Sequence, residues 1–136
     1  KEIQELFEAR YAIEKYALEQ FMQKGVQKQD IRFLKQLIVE QEKKKEHPVN
    51  FMTFDRQFHL YTIQKIENKF IENMLGHIRD QILLVGVKIL SSNNFYDQVI
   101  QEHHQIIKAI ELGDEQKAIE KVKQHINNSR KRILLF

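Results

Sequence analysis

Residues 102–126 read EHHQIIKAIELGDEQKAIEKVKQHI. Val99, Ile100, His103, Ile106, Ile107 and Ile110 recur at helical spacing. So do Ala118, Ile119, Val122, His125, Ile126, Ser129 and Ile133 after the Gly113-Asp114 dipeptide. The pattern predicts two helices, about 95–112 and 115–135, joined by a tight turn. His103 and His125 are equidistant from position 114, so an antiparallel pair sets them level and facing inward. At a rise of ~1.5 Å per residue they lie about 16 Å from the turn, well inside a bundle.

Working outward, the same periodicity predicts four earlier helices. The first spans about 2–24, with Ile3, Leu6, Phe7, Ile13, Ala17 and Phe21 on one stripe, Arg10 in its middle, and Gly25 as its stop. The second spans about 28–46 and is ended by His47-Pro48. The third, about 49–66, presents Phe51, Phe54, Asp55, Phe58, His59, Thr62, Ile63 and Ile66. Asn68 is an N-cap for the fourth, about 69–90, which turns apolar nearly all round from Ile82 onward. Ser91 to Asn94 reads as a loop. The expectation is an all-α fold, an antiparallel bundle occupying the whole chain, residues 1–136, as one domain.

Bulk properties narrow the function. With 42% hydrophobic and 30% charged residues, the chain reads as an ordinary globular protein rather than a disordered or fibrous one. A net charge of +3 is weak evidence for nucleic-acid binding, and Lys43-Lys44-Lys45 reads as a solvated helix end. The absence of cysteine excludes thiolate metal sites and disulfides. The longest apolar run, Ile82 to Leu90, is too short for a membrane span and is broken by Gly86 and Lys88. No signal peptide is visible, so a cytoplasmic protein without a membrane partner is expected. The sequence starts directly in a helical pattern, as a piece of a longer protein would.

Four polar residues interrupt apolar stripes: Asp55 and His59, one turn apart on the third helix, and the level pair His103 and His125. An unpaired buried charge is costly, and a divalent ion bound by all four offsets it. Three neutral imidazoles and one carboxylate suit zinc, expected first, or nickel, manganese or iron(II). The alternative for each His is a hydrogen-bonded core residue, and for Asp55 a simple polar pair. Arg10 requires an acid partner or an anionic ligand, unless its head reaches solvent. His104 reads as a flanking residue and His47 as a helix end. His77 lies on the secondary face of the fourth helix, where it would line a cavity or face solvent. There is no phosphate loop, no HExxH and no Ser-His-Asp set. Apart from the four ligands, no Glu, Asp or His is clearly inward, so an enzyme is not expected.

At these residues the chain resembles the FCD domain, the C-terminal effector-binding half of the FadR-type subgroup of GntR transcriptional regulators. Three stretches carry the likeness: Glu8-Ala9-Arg10-Tyr11-Ala12-Ile13-Glu14; Asp55-Arg56-Gln57-Phe58-His59 with Asn68 following; and Glu102-His103 with Ile106, Ala109-Ile110, Gly113-Asp114, Ala118 and His125-Ile126. The resemblance implies six or seven helices and a metal held by Asp55, His59, His103 and His125. It also implies a small organic-acid or sugar-acid effector beside the metal. Arg10, Asn68 and His77 are the candidates to contact that effector. A homodimer is implied too, with DNA bound only through an N-terminal winged helix-turn-helix that this sequence does not contain. Three uses of the site stay open: a ligand sensor, a metal-dependent enzyme acting on a small carboxylate, and a purely structural metal.

Overall fold

The computed structural model describes residues 2–135, which form six α-helices and no strand. They are α1 (Glu2–Lys24), α2 (Lys28–Lys43), α3 (Pro48–Lys65), α4 (Lys69–Ser92), α5 (Tyr96–Glu111) and α6 (Glu115–Leu134). The fold is the expected all-helical bundle. α1 packs against α3, α4 and α6. α2 lies against α3 and α5, while α3 pairs with α4 and α5 with α6. Phe7, Phe21, Leu34, Ile38, Phe51, Phe58, Ile82, Ile107 and Ile126 meet in one apolar core drawn from all six helices.

Helix ends follow local chemistry. Gly113, at φ 73°, ends α5 in the left-handed region. Its N–H bonds to Ile110 O (3.0 Å), and the Asp114 N–H bonds to Ala109 O (3.1 Å). These two bonds close a Schellman turn and free Asp114 to cap α6, where its Oδ1 accepts Lys117 N–H at 3.0 Å. This turn fixes the register between α5 and α6, and hence the level of His103 and His125.

Three boundaries differ from the sequence reading. α2 stops at Lys43 rather than near Glu46, with Glu46 at φ 73°. Pro48 begins α3 as well as excluding α2, because its missing N–H costs nothing in the first helical turn. Ser91 and Ser92 continue α4; the Ser91 hydroxyl donates back to Val87 O at 2.8 Å. The lysine run is less passive than expected. Lys45 Nζ bridges Glu42 (2.7 Å) and Asp97 (2.6 Å), tying the end of α2 to the start of α5.

α4 is not apolar and buried all round. Ile82, Ile89 and Leu90 are buried, whereas Leu84 is 75% exposed and Val85 and Val87 are half-buried. Among the described residues, no helix is long and apolar enough to cross a membrane.

Candidate metal centre

α3 contributes Asp55 and His59, α5 His103 and α6 His125, all buried. One nitrogen or oxygen from each lies within 4.8 Å of the others. His59 and His125 are parallel, with ring centroids 5.0 Å apart, and His103 stands edge-on to both at 5.2 and 4.8 Å. The structure therefore brings together the four residues that the stripes singled out.

The groups behind the imidazoles decide which ring nitrogens face inward. His59 Nδ1 lies 2.7 Å from Glu14 Oε1, and His125 Nδ1 lies 2.5 Å from Glu102 Oε1. His103 Nδ1 lies 3.0 Å from Gln41 Oε1; the Gln41 amide nitrogen donates instead to Phe51 O. All three partners are acceptors, so each Nδ1 carries the proton and donates it. Each Nε2 is then a bare lone pair. His59 Nε2 and His125 Nε2 face each other at 3.1 Å. His103 Nε2 sits 3.2 Å from the carboxylate oxygen Asp55 Oδ1 and makes no aligned hydrogen bond. Arg10 Nη2 is the one donor here, 3.3 Å from His59 Nε2; otherwise acceptor opposes acceptor, and a cation among them reconciles the arrangement. A divalent metal fits: hydrogen bonds from the far ring nitrogen to acids or amides are how proteins orient such ligands.

The charges agree. Burial, opposed by Glu14 and reinforced by Arg79 and Arg10, pulls His59 down to about 4. Burial likewise pulls His125 down to about 3, against its hydrogen bond to Glu102. Both rings are neutral at pH 7, as metal ligation requires. Burial alone would raise Asp55, but Arg79, His59 and His103 hold its carboxyl well below the ordinary carboxylate range. Burial would also raise Glu14; Arg10 and His59 outweigh it and keep that acid ionised.

Several residues around the ligands were not anticipated, and the expectation that no further inward acid exists is overturned. Glu14 and Asp30 are buried, and Glu102 is half-buried. Glu14 follows Arg10 by four residues and precedes Leu18 by four, so α1's inner stripe passes through it. Its charge hid a legible position. Arg79 likewise follows Leu75 by four and precedes Ile82 by three. It is 1% exposed, and its Nη2 donates to Asp55 Oδ2. Gln41 continues the stripe of Leu37 and Ile38. Arg132 donates to Glu102 Oε2 and lies over the Phe95 ring at 5.8 Å.

The effector candidates divide. Arg10 is at the centre: its Nε bonds to Glu14 Oε2 at 2.5 Å, and its Nη2 lies 3.3 Å from His59 Nε2. Asn68 and His77 are exposed and are not brought to the cluster. Asn68 Oδ1 instead accepts Ile71 N–H at 3.1 Å, capping α4. His77 falls on the outer face of α4 because the inner face there is taken by Leu75, Ile78 and Arg79. His104 is exposed as well.

A cavity of about 60 Å³ adjoins two of the four residues. Asp55 and His125 lie on its wall together with Arg10, Arg79, Ser129 and Arg132.

A family model described as the FCD domain matches residues 5–128. The chain belongs to the FCD domain family. FCD domains are the C-terminal, effector-binding parts of GntR-family regulators, so this one is a ligand-sensing regulatory domain. A search of curated proteins finds no match.

Proposed function

We propose that this FCD domain senses a small organic acid or sugar acid through a divalent metal held by Asp55, His59, His103 and His125. In this reading it belongs to a cytoplasmic, homodimeric regulator of the FadR subgroup, which binds DNA through a separate winged helix-turn-helix domain. The observation that carries the metal is the convergence of three Nε2 lone pairs on one carboxylate, with every Nδ1–H already committed. Zinc is the first expectation for three imidazoles and a carboxylate, with nickel, manganese and iron(II) next.

When bound, the metal supplies a Lewis-acid position for an effector's carboxylate oxygen. The protein's own residues do the rest. Glu14, Gln41 and Glu102 fix the tautomers and orientations of the imidazoles. Arg10 and Arg79 add positive potential beside the cavity. Because the ligands sit on α3, α5 and α6, a change in how the site is filled is felt at once by three helices. That gives an effector a means to favour one packing of the bundle over another, which is what coupling to DNA binding demands.

Native mass spectrometry with elemental analysis tests the reading. The expected result is about one divalent ion per chain, lost in His103→Ala and His125→Ala, and a melting temperature that rises with a bound acid. Full metal content in both variants would remove the assignment. A second use is favoured by the same geometry, since the centre joins three helices: a purely structural metal. In that case chelation unfolds the domain and no acid shifts its melting.

A further inference from the structure

Asp55, His59, His103 and His125 are each at most 5% exposed. The cavity beside Asp55 and His125, at about 60 Å³, has room for roughly two waters at ~30 Å³ each. A divalent ion in solution carries a larger shell of water than that. Metal binding at these residues therefore requires a wall that gives way.

One wall is thin. A surface depression of about 340 Å³ lies between the start of α5 and the last turns of α6, with Gln98, Glu102, Asn128 and Lys131 on its sides. It shares Phe95 and Arg132 with the inner cavity, so these two side chains stand between the cavity and the depression. Both belong to helix ends. Phe95 immediately precedes α5 and makes no side-chain cap, and Arg132 lies in the last turn of α6. Helix ends carry unpaired backbone groups and open at lower cost than helix interiors. The contacts that close the wall are few. The Arg132 guanidinium stands 5.8 Å from the Phe95 ring centroid, and its Nη2 donates to Glu102 Oε2. A groove between α1 and α6 also reaches the cavity, at Phe7. Phe7 is 3% exposed inside α1, with the Arg10 guanidinium 5.5 Å from its ring centroid. Opening there moves a helix, whereas opening at Phe95 moves two side chains.

Resting on the metal reading, we propose that Phe95 and Arg132 are the door through which the ion enters and leaves, with the Arg132–Glu102 ion pair as its latch. Glu102 suits that part. Its Oε1 accepts from His125 Nδ1 at 2.5 Å, while its Oε2 accepts from Arg132 and from Asn128 Nδ2 at 3.1 Å. Release of Arg132 leaves Glu102 holding both His125 and Asn128, so the imidazole stays oriented while the way opens. It also frees the charge of a carboxylate at the mouth, which draws an incoming cation.

The test is the rate at which the zinc-loaded domain releases its ion to a large excess of chelator, where the rate no longer depends on chelator concentration. Kd comes from competition with a chromophoric chelator, and the uptake rate is the release rate divided by Kd. Phe95→Ala and Arg132→Gln should each release zinc about tenfold faster, with Kd within about threefold of the unaltered value. Uptake then quickens nearly as much as release, which is the mark of a path; a contact that holds the bound ion changes release and Kd together. Phe7→Leu should leave release unchanged. If Phe95→Ala fails to fold, Arg132→Gln carries the same comparison. Unaltered release in the folded variants, or faster release in Phe7→Leu alone, overturns the door and leaves the metal reading standing. Release and Kd rising in parallel overturns it as well. A domain that takes up no zinc removes the metal reading itself, and the door with it.

Discussion

Two buried aspartates show what separates a polar packing contact from a ligand site. Asp30 and Asp55 are nearly equally buried, at 4% and 5% exposure. Asp30 is surrounded by donors: its Oδ2 accepts Gln27 N–H at 2.8 Å, its Oδ1 accepts the Tyr61 hydroxyl at 2.6 Å, and Lys65 Nζ is 3.7 Å away. Nothing there is missing. Asp55 accepts from Arg79 on one oxygen, but its other oxygen faces the bare Nε2 of His103 at 3.2 Å and of His59 at 3.8 Å. Burial is the same in both places, and the donor–acceptor balance differs. A satisfied cluster stabilises the fold on its own; an acceptor-rich one is stable only around a cation.

The largest expected effect follows from that difference. Metal at a thousandfold excess over its dissociation constant adds about 4 kcal/mol to the folded state. For a domain of this size that corresponds to a rise in melting temperature of roughly 10–20 °C. Differential scanning fluorimetry with and without a chelator reads it directly. His125→Ala should abolish the rise, whereas Tyr61→Phe at the Asp30 cluster should leave it intact. An equal rise in all three proteins would mean that metal acts elsewhere.

pH separates the two regions next. His59 and His125 have folded-state values of about 4 and about 3, below the ordinary 6.5. A depressed histidine contributes stability that is present above 6.5 and is lost as pH falls through the folded value. The metal-free domain should therefore weaken as pH drops from 6.5 toward 3, and the same protonation should expel metal from the loaded domain. At the other cluster, burial and the bond to Asp30 raise the Tyr61 hydroxyl above its ordinary 10. That contribution is complete below pH 10 and is lost only as pH rises past it. Circular dichroism melts of the metal-free protein across pH give the answer. A flat acid limb would show that the imidazoles are not held neutral.

Glu14→Gln is a subtler break. The amide oxygen still accepts from His59 Nδ1, but the charge that polarises the ring and pairs with Arg10 is gone. Metal affinity should fall about 10- to 100-fold, measured by competition with a chromophoric chelator. Unchanged affinity would make Glu14 only the ion-pair partner of Arg10.

Much of this was legible in the sequence, and the limit has a physical form. Asp55, His59, His103 and His125 stood out because a polar residue on an apolar stripe breaks the pattern. The turn at Gly113-Asp114 even fixed the relative level of two of them. Glu14 and Arg79 occupy stripe positions just as regular, yet charged side chains at helical spacing are ordinarily solvated, and nothing local distinguishes these from Glu19 or Arg56. Their burial depends on each finding a partner on another element, Glu14 the His59 Nδ1–H and Arg79 the Asp55 carboxylate, and such pairing is a property of packing. Asn68 and His77 are the reverse case, exposed and apart from the cluster. Asn68 is explained fully by the four-residue logic of a helix cap, and His77 by a rotation of α4 that one-dimensional periodicity leaves free. Helix ends slipped where side chains extended a turn, as at Ser91, or where one lysine of the run, Lys45, found a partner across a gap in Asp97.

The smallest effect concerns Asp30. Tyr61→Phe removes one hydroxyl donor from a carboxylate that keeps the Gln27 N–H and a nearby Lys65. A hydrogen bond to a charged group contributes about 1.5–3 kcal/mol, and the remaining donors and solvent near Lys65 recover part of it, so a loss near 1 kcal/mol is expected. The aromatic body stays, and with it the stacking on Phe33 at 4.8 Å and the edge contact with Phe21 at 6.1 Å. The melting temperature should fall by about 3–6 °C at neutral pH, with metal content and acid binding unchanged. The alkaline weakening attributed to Tyr61 should disappear from the same variant. If Tyr61→Phe instead lowers metal affinity, the two aspartate clusters are coupled along α3, and the balance of donors around Asp55 is not a local property.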